Sequence, residues 1–393
     1  MVNVCMVAYT HYPTDSRVRR EVEALLARGD IVDVICLGEK NEENPEYFNG
    51  ARLLKTKNPR YRGSNIRMYM TSYLYFFCAA LLKLAKLYVK NAYQVIQIHT
   101  MPDFMVFTAI VPKLLGAKVL LDVHDLMPEL YQSKFGSNKR RLLIRFITWI
   151  ERCSISFADR AIAVHEPHLQ ALCRHGNPAE KFLVLLNLPD MKIFTNQGEC
   201  LPQGHSSLVL IYHGTVAKRN GLEIAIRAIS LLKDELKDLE LRIIGDGDDI
   251  LRLSELVVEL GLQDKVQINR GMVPLEKLVP IIQNADVGIV PILYDGFTRY
   301  MLPVKLLEYV ALGKPVICSR TETIQAYFDD SMVQFTSPGS VSELAQAIRC
   351  LYEHPERRQE LSANAGKFNQ AYNWDKQKLA YYQLIDNLVK KGG

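Results

Sequence analysis

The sequence predicts an α/β protein with two doubly wound, parallel-sheet domains. Its 393 residues exceed what one hydrophobic core ordinarily organises, so two domains are expected. Short apolar runs alternate with stretches of helical spacing, and this alternation begins afresh in the second half of the chain. Between the halves, residues 189–206 lose the periodicity and collect Pro, Gly, Gln and Asn, as linkers do. The predicted domains are therefore residues 1–190 and 207–372.

The composition is that of a soluble globular chain. Apolar residues make up 48% and charged residues 23%, and a net charge of +5 is too small to indicate nucleic-acid binding. None of the eight cysteines forms a CxxC pair, so neither a zinc ribbon nor a disulfide framework is predicted. The first residues predict a strand and no signal peptide, which makes the cytosol the expected location. The apolar run from Met68 to Leu82 is shorter than the roughly 20 residues that cross a bilayer, so no transmembrane helix is predicted.

The first half opens with a strand, a helix and a second strand at residues 2–8, 16–28 and 31–37. Asp15 is placed to cap the helix. The loop at residues 9–14 lacks GxGxxG, so no dinucleotide is expected there. Residues 39–64 predict a loop with a short edge strand. The other predicted elements are helices at 66–90, 139–157 and 168–175, a helix ending near Gly116, and strands at 95–98, 118–122, 161–164 and 183–186.

The second half predicts six further strands with a helix after most of them. The strands lie at 208–213, 240–245, 265–269, 287–290, 315–318 and 332–335. The helices lie at 220–234, 249–260, 275–284, 304–312, 341–354 and 355–372, with a last amphipathic helix at 375–390. Ligands of such sheets bind beyond the carboxyl ends of the strands, and two facing domains would share a cleft there.

The most informative stretch is residues 294–318, between two buried strands. A loop rich in Asp, Gly, Thr and Arg leads into a short helix that opens near Pro303, with Lys305 in its first turn and Glu308 one turn later. A loop that follows a parallel strand and feeds a helix N-terminus is where α/β proteins hold anionic ligands. Glu308 could bind ribose hydroxyls while the helix end meets a phosphate.

A second loop, residues 213–221, follows the first strand of the second half. Gly214 lets the backbone approach a ligand, and Lys218 and Arg219 stand just before a helix, where they could neutralise a diphosphate. A solvated basic turn is the alternative. The Asp-x-Asp pair in residues 245–249 is better explained by strand-end and helix-capping roles, so no metal site is predicted.

Two histidines follow predicted strands in the first half. His124 could donate to a sugar hydroxyl or share charge with a leaving group, and a buried structural histidine is an equal alternative. His99 is a weaker case of the same kind. The segment from His165 to His168 lacks HExxH spacing, so no zinc is expected there.

The helix at 139–157 is basic and amphipathic, with Arg141, Arg145, Thr148 and Arg152 along one stripe. Together with the apolar helix at 66–90, it predicts contact with an anionic membrane surface. The alternative is that each helix packs on its own sheet.

Eight stretches, in this order and spacing, carry a family resemblance. In the first half they are PTDSRVRREVEALLARGDIVDVI (13–35), VHDLMPE (123–129) and FADRAIAV (157–164). In the second half they are HGTVAKRNGLEIAIRA (213–228), LRIIGDGDD (241–249), KVQINRGMVPLEKL (265–278), ADVGIVP (285–291) and PVKLLEYVALGKPVI (303–317). The chain thus resembles the family 4 retaining glycosyltransferases, whose GT-B fold sets two Rossmann-like domains across a central cleft.

The resemblance implies residue roles. Glu308 matches the glutamate that holds the donor ribose, and Gly214 matches the glycine that approaches the donor diphosphate. His124 matches the histidine near the donor sugar and leaving phosphate. The backbone around Gly271 and Met272 matches the place where the base is read. The last helix, 375–391, is expected to cross back onto the first domain, as in relatives.

Three departures from the family pattern lie at the donor site. Tyr300 replaces the first of the paired glutamates, Thr215 the usual arginine and Asn220 the usual lysine. The charge at the diphosphate is therefore assigned to Lys218 and Arg219, with contributions from Lys305 and Arg299.

The resemblance implies a metal-independent enzyme that transfers a sugar, with retention, from a UDP- or GDP-sugar to a hydroxyl acceptor. The expected acceptor is a lipid-linked or growing envelope glycan, met at the inner face of the cytoplasmic membrane. No cofactor and no nucleic acid are expected. Two alternatives stay open: a nucleotide-sugar 2-epimerase of the same fold, and a non-catalytic nucleotide-sugar-binding subunit.

Overall fold

The computed structural model of the chain describes residues 1–12, 15–38, 46–57, 66–135, 141–191, 193–194, 208–271 and 273–390. The chain divides into two units. Unit 1 comprises Met1–Asn187 with Asp375–Gly393, and unit 2 comprises Leu188–Trp374. Each unit contains a parallel or mainly parallel sheet with helices on it, which confirms the predicted fold class.

Unit 1 contains an eight-stranded sheet. The strands are β1 (Asn3–Ala8), β2 (Ile31–Leu37), β3 (Glu46–Phe48), β4 (Ala51–Thr56), β5 (Val95–His99), β6 (Lys118–Val123), β7 (Arg160–Ala163) and β8 (Phe182–Val184). Their order is β3-β4-β2-β1-β5-β6-β7-β8, and only the pairing of β3 with β4 is antiparallel among the described strand pairs. The strand order reverses between β1 and β5, which makes their carboxyl ends the switch point of this sheet.

The helices of unit 1 are α1 (Ser16–Ala27), α2 (Ile66–Asn91), α3 (Ile110–Leu114), α4 (Met127–Phe135), α5 (Arg141–Phe157) and α6 (Glu166–Arg174). A 3-10 helix, Asp103–Ala109, precedes α3. The carboxylate of Asp15 accepts a hydrogen bond from the Arg17 amide at 3.2 Å, which confirms the predicted N-cap of α1.

Strand β4 was not predicted, because residues 39–64 were expected to form a loop with an edge strand. It lies inside the sheet, between β2 and β3. Leu53 is fully buried, and Arg52 donates through Nε to Asp33 Oδ1 on β2 at 2.9 Å. The sequence did not predict this strand because it contains charged residues. The charge of Arg52 is balanced by Asp33 on the neighbouring strand.

Helix α2 is longer than the apolar run on which the prediction of no transmembrane helix was based. It has 26 residues, more than the 15 of the apolar run from Met68 to Leu82, and by length and composition it could cross a membrane. One face nevertheless packs within unit 1, since Phe76, Ala80 and Leu84 are fully buried. One side of α2 is therefore part of the hydrophobic core of unit 1.

Unit 2 contains a six-stranded parallel sheet. The strands are β9 (Leu208–His213), β10 (Leu239–Gly245), β11 (Val266–Arg270), β12 (Val287–Val290), β13 (Val316–Ser319) and β14 (Gln334–Thr336), in the order β11-β10-β9-β12-β13-β14. The helices are α7 (Leu222–Leu232), α8 (Ile250–Glu259), α9 (Leu275–Gln283), α10 (Val304–Ala311), α11 (Glu322–Gln325), α12 (Val341–Glu353) and α13 (Pro355–Ala371). The switch point lies between β9 and β12.

The last helix, α14 (Trp374–Lys390), packs on unit 1. Tyr381 is fully buried and donates its hydroxyl to Gln97 Oε1 on β5 at 2.6 Å. Asp386 accepts from Arg28 at 2.9 Å, beyond the end of α1. A buried tyrosine therefore holds α14 on the sheet, and an ion pair holds it beside the first helix of unit 1.

Candidate functional site

Two loops meet at the carboxyl edge of the unit 2 sheet, where β9 and β12 are neighbours. The first loop follows β9, and the second joins β12 to α10. The Leu293 amide donates to the Arg219 carbonyl at 2.9 Å and ties them together. Gly221 has a φ of +67°, and a Cβ at this position would lie 1.8 Å from the Pro291 carbonyl oxygen. Only glycine permits so close an approach, so the crevice depends on it.

Glu308 lies in α10 with only 7% of its surface exposed. Its Oε2 accepts a hydrogen bond from His213 Nε2 at 2.6 Å. A carboxylate can only accept, so the proton of His213 lies on Nε2. The other oxygen of Glu308 has no hydrogen-bond partner among the residues that the structure describes. One carboxylate oxygen is therefore held in place, and the other is left for a ligand.

His213 itself is held by Tyr309, the residue after Glu308. Its Nδ1 lies 2.9 Å from the Tyr309 hydroxyl, which also donates to the Ile211 carbonyl at 3.1 Å. Burial raises the pKa of Tyr309 well above its usual value, so the phenol keeps its proton. Neither His213 nor Tyr309 was predicted as a site residue from the sequence. The available signal was a histidine at the end of the first strand of the second half, directly before Gly214.

Lys305 and Gly214 lie close together. The Lys305 ammonium donates to the Tyr212 hydroxyl at 2.9 Å and lies 4.2 Å from the centre of the Tyr212 ring. Gly214 has a φ of +102°, and a Cβ there would lie 3.6 Å from Lys305 Cε. The aromatic face thus holds a cation beside an exposed, glycine-bearing stretch of backbone.

Thr215 and Asn220 shape the first loop through the backbone. The Thr215 carbonyl accepts from the Tyr212 hydroxyl and from Asn220 Nδ2, each at 2.6 Å. Asn220 is buried, with 3% of its surface exposed. The residue that replaces the family's lysine therefore braces the loop and adds no charge to it.

Lys218 and Arg219 form a 3-10 turn with Asn220, just before α7. Lys218 is exposed and Arg219 is half-buried. The Nε of Arg219 is buried without a hydrogen-bond partner among the described residues. A lysine and an arginine side chain therefore lie at the end of the loop that follows β9.

Arg299 and Tyr300 lie in a 3-10 turn, Thr298–Tyr300. Arg299 donates to Glu322 Oε1 at 2.9 Å, and its guanidinium lies 5.2 Å from the centre of the Tyr300 ring. Glu322 also accepts from the Tyr294 hydroxyl at 2.5 Å. Arg299 thus already has a counter-charge, whereas Lys305 contacts a neutral phenol.

The loops after β10 and β11 line the other side of β9. The Gly271 amide donates to the Gly245 carbonyl at 3.0 Å, and a Cβ on Gly245 would lie 1.8 Å from the Gly214 carbonyl oxygen. Gly271 has a φ of +128°. Met272 lies outside the described residues. Gly245 therefore contacts both Gly271, in the backbone that was assigned to base recognition, and Gly214, in the loop that was assigned to the diphosphate.

The segment after β10 contains the Asp-x-Asp pair, for which strand-end and helix-capping roles were predicted. Asp246 Oδ1 accepts from the Gly247 amide at 3.0 Å, in a turn. Asp249 stands at the N-cap position of α8, but its carboxylate makes no capping bond and pairs with Arg252 at 2.7 Å. The capping prediction is wrong at Asp249, because a bidentate ion pair competes with the helix amides.

In unit 1, His124 and His99 meet at one carboxylate. His99 Nδ1 and His124 Nε2 each lie 2.9 Å from Asp122 Oδ2, and all three residues are buried. Burial alone would raise the pKa of Asp122, but the charge and hydrogen bonds of the two imidazoles lower it below its usual range. The three side chains are close enough to hold a metal ion, although hydrogen bonding accounts for the same geometry. Asp122, the penultimate residue of the buried strand β6, was not among the predicted site residues.

His165 and His168 contact each other at the start of α6. His165 Nδ1 accepts from the His168 amide at 3.0 Å and caps α6. Burial holds the pKa of His168 well below its usual value, so this ring is neutral.

Apolar side chains on three helices of unit 1 are exposed, and we call them the apolar surface. They are Met68, Leu74 and Leu82 on α2, Leu114 on α3, and Leu142, Phe146 and Trp149 on α5. The 3-10 helix that precedes α3 contacts both α2 and α5, through Phe104 against Phe77 and Phe107 against Phe157. Arg141 and Arg145 are exposed on α5. Lys139 and Arg140 of the predicted helix lie outside the described residues.

Comparison with known proteins relates both halves to sugar transferases. Residues 14–187 match the model "Glycosyl transferase 4-like domain", and residues 207–354 match "Glycosyl transferases group 1". One curated relative is the amylovoran biosynthesis glycosyltransferase AmsK of Erwinia amylovora, 28% identical over 176 residues, 44% of this chain and 42% of the relative. The first curated relatives are matched over about two fifths of their length.

Solved structures share the fold over the whole chain. Sucrose-phosphate synthase of Thermosynechococcus elongatus superposes with a TM-score of 0.80 at 19% identity, covering 100% of both chains. Anabaena Alr3699/HepE in complex with UDP-glucose gives a TM-score of 0.71 at 13% identity, again covering 100% of both chains. At these identities, the likeness establishes the fold.

Proposed function

The chain belongs to the family 4 glycosyltransferases of the GT-B fold, and from that premise we propose that it transfers a sugar, with retention, from a nucleoside-diphosphate donor to a hydroxyl acceptor. The observation that carries the proposal is Glu308. Its carboxylate is buried, one oxygen is bound by His213 and the other is unbonded among the described residues. Lys305 and Gly214 lie beside it. The same edge of the sheet therefore presents a carboxylate that can bind a ribose, and a cation and a glycine-bearing loop that can bind a diphosphate.

Each group has a distinct chemical task in this proposal. The unbonded oxygen of Glu308 accepts from ribose hydroxyls. Lys305, Lys218 and Arg219 stabilise the negative charge that grows on the departing diphosphate, which is the task a metal ion performs in other transferases. His124 contacts a hydroxyl of the substrate near the bond that breaks. Because protein cations supply the charge, transfer is expected to persist in the presence of a chelator.

The acceptor we propose is a lipid-linked or growing envelope glycan, at the inner face of the cytoplasmic membrane. The apolar surface supports this, because exposed Trp149 and Phe146 stand near the exposed Arg141 and Arg145 on α5. Aromatic and aliphatic side chains enter the interfacial region of a bilayer while arginines meet anionic headgroups. The name of AmsK assigns that relative to the biosynthesis of amylovoran.

A ligand panel tests the donor. Thermal unfolding is measured with UDP, GDP, ADP and their sugars, and one nucleoside diphosphate is expected to stabilise the protein by about 2.7 kcal/mol at 100 times its dissociation constant. No stabilisation by any member of the panel would contradict a nucleotide-sugar site.

An activity assay then separates transfer from its alternatives. The donor chosen by the panel is incubated with membrane lipid extract, with and without EDTA, and the anomeric configuration of the product is read by NMR. A 2-epimerase would convert the donor without acceptor. A non-catalytic binding subunit would bind it and form no product.

Vesicle flotation tests the membrane contact. The protein is expected to float with vesicles that contain anionic lipid at low salt and to be released at high salt. Trp149→Glu combined with Phe146→Glu should abolish flotation. The matched control is Leu251→Glu, an exposed leucine (70%) on α8 of unit 2, which should float normally. Equal flotation of both variants would contradict the assignment of the apolar surface.

A further inference from the structure

One carboxylate oxygen of Asp122 lies between two histidine rings. Its Oδ2 is 2.9 Å from His99 Nδ1 and 2.9 Å from His124 Nε2, and these two nitrogens are 3.4 Å apart. A carboxylate oxygen accepts and does not donate, so the nitrogen of each ring that faces it carries a proton. The two nitrogens also lie within hydrogen-bond distance of each other, at 3.4 Å, but the contacts of each with the carboxylate oxygen are shorter, at 2.9 Å.

The opposite nitrogens of both rings are left without a bond. His124 Nδ1 and His99 Nε2 are buried and have no hydrogen-bond partner among the described residues. A protonated nitrogen in that position would be a buried donor with no acceptor, which is more costly than a bare acceptor of the same kind. The geometry thus favours a His124 ring with its proton on Nε2 and a lone pair on Nδ1.

The backbone of His124 is held as firmly as its ring. The His124 amide donates to Thr100 Oγ1 at 3.0 Å, just beyond the end of β5. Asp122 and His99 are partners in adjacent parallel strands, so the register of the sheet brings the carboxylate to both rings. These residues lie at the carboxyl ends of β5 and β6, beside the switch point of the unit 1 sheet.

We propose that Asp122 and His99 are positioning residues that hold His124 as its Nε2–H tautomer, so that Nδ1 accepts a hydrogen bond from a hydroxyl group of the sugar substrate. The inference rests on the proposed function for the identity of that hydroxyl. The tautomer itself is a property of the free protein. Asp122 orients the ring and selects the nitrogen that carries the proton, and His99 shares the charge of the carboxylate.

The direct test is nitrogen NMR on protein labelled with 15N-histidine. Long-range proton–nitrogen correlations distinguish the two tautomers, and the signals are assigned by their loss in His124→Gln and His99→Gln. The expected result is Nε2–H for His124 and Nδ1–H for His99. A His124 protonated on Nδ1 would overturn the proposal. So would one equivalent of bound zinc in the purified protein, since Nε2 would then bind the metal.

The second test is Asp122→Asn, which preserves the size of the side chain and can present an amide N–H to His124. We expect the tautomer of His124 to change and kcat to fall by about 10²-fold or more. The dissociation constant of the nucleotide, bound in unit 2, should stay unchanged. A variant with an altered tautomer and an unchanged kcat would refute a positioning role.

The matched control is Asp33→Asn. Asp33 is an equally buried carboxylate on β2 that binds Arg52 and Tyr93 and is remote from the histidines in the hydrogen-bond network. Its loss should lower the thermal unfolding midpoint without changing the histidine tautomers. If Asp122→Asn does not fold, the wild-type tautomers still decide the inference. The proposed function fails separately, when the wild-type protein shows the expected tautomers and no transfer.

Discussion

Replacing Glu308 by glutamine changes one atom of a buried side chain and should weaken donor binding. In the wild type, one oxygen accepts from His213 Nε2 at 2.6 Å and the other is available to ribose hydroxyls. A glutamine has one oxygen, which His213 can occupy. The amide nitrogen then faces the ribose, and the negative charge is lost.

The size of the effect follows from the bonds that change. A hydrogen bond to a charged group contributes about 1.5–3 kcal/mol and a neutral one about 0.5–1.5 kcal/mol. Losing the charge at one or two ribose hydroxyls therefore weakens binding by about 1–3 kcal/mol, or roughly 5- to 150-fold in the dissociation constant. The same substitution keeps the bond to His213, so unit 2 should remain folded.

Isothermal titration calorimetry with the nucleotide selected by the ligand panel measures this loss. Glu259→Gln is the matched control, because Glu259 is an exposed glutamate on α8 of the same unit. Its dissociation constant should equal that of the wild type. If Glu308→Gln binds nucleotide as tightly as the control and melts normally, Glu308 does not contact the donor.

Three further variants probe the loops and the packing. Gly221→Ala should destabilise unit 2 by about 2–4 kcal/mol in chemical denaturation, because its Cβ would meet a carbonyl oxygen at 1.8 Å in a left-handed conformation. Lys305→Met should weaken nucleoside diphosphate binding by about 10- to 100-fold and leave binding of the nucleoside unchanged, since one charge-assisted bond is removed. His175→Gln should destabilise unit 1 by about 3 kcal/mol, because it leaves the carboxylate of Glu151, 1% exposed, without its cation.

Controls and pH profiles complete these tests. Gly366→Ala adds a Cβ that meets nothing within 4 Å, so it should leave unit 2 as stable as before or slightly more stable. Burial would lower the pKa of His175, but the hydrogen bonds that its ring donates to Glu129 and Glu151, and the charges of these carboxylates, raise it to about 10. Because the folded value lies above the unfolded one, the stabilisation is complete below about pH 6.5 and is lost as the pH rises through 10. A wild-type profile that is flat between pH 7 and 10 would contradict this.

The strand and helix order was predictable because it depends on periodicity, which short apolar runs and amphipathic stretches display directly. Lys305, Gly214 and Glu308 could also be placed together, since a loop after one parallel strand must lie beside the loop after its neighbour. Strand β4 escaped because its charged residues are satisfied by partners on other strands, such as the Asp33 that binds Arg52. Local composition does not contain that information.

The positioning groups of both sites escaped for a related reason. His213 and Asp122 each act through a second side chain, and the contact depends on the register between strands or between a strand and a helix. From the sequence, Asn220 was interpreted only as the loss of the positive charge of the family's lysine. In the structure, its side-chain amide donates a hydrogen bond to the Thr215 carbonyl and stabilises the loop. Residue identity suggested the chemistry of each group, but only three-dimensional contacts identify the atom that is occupied and the atom that remains for a ligand.

The docking of α14 on unit 1 has a consequence for how the protein is made. Unit 2 is continuous in the chain, whereas unit 1 needs both its first 187 residues and a helix from the C-terminal end. Tyr381, which bonds to Gln97, leaves the ribosome after the whole of unit 2. The first half can therefore begin to fold early but completes its core only after unit 2 has been synthesised. Until then, the surface that α14 covers is exposed to chaperones and proteases, and a chain truncated before Asp375 would remain in that state.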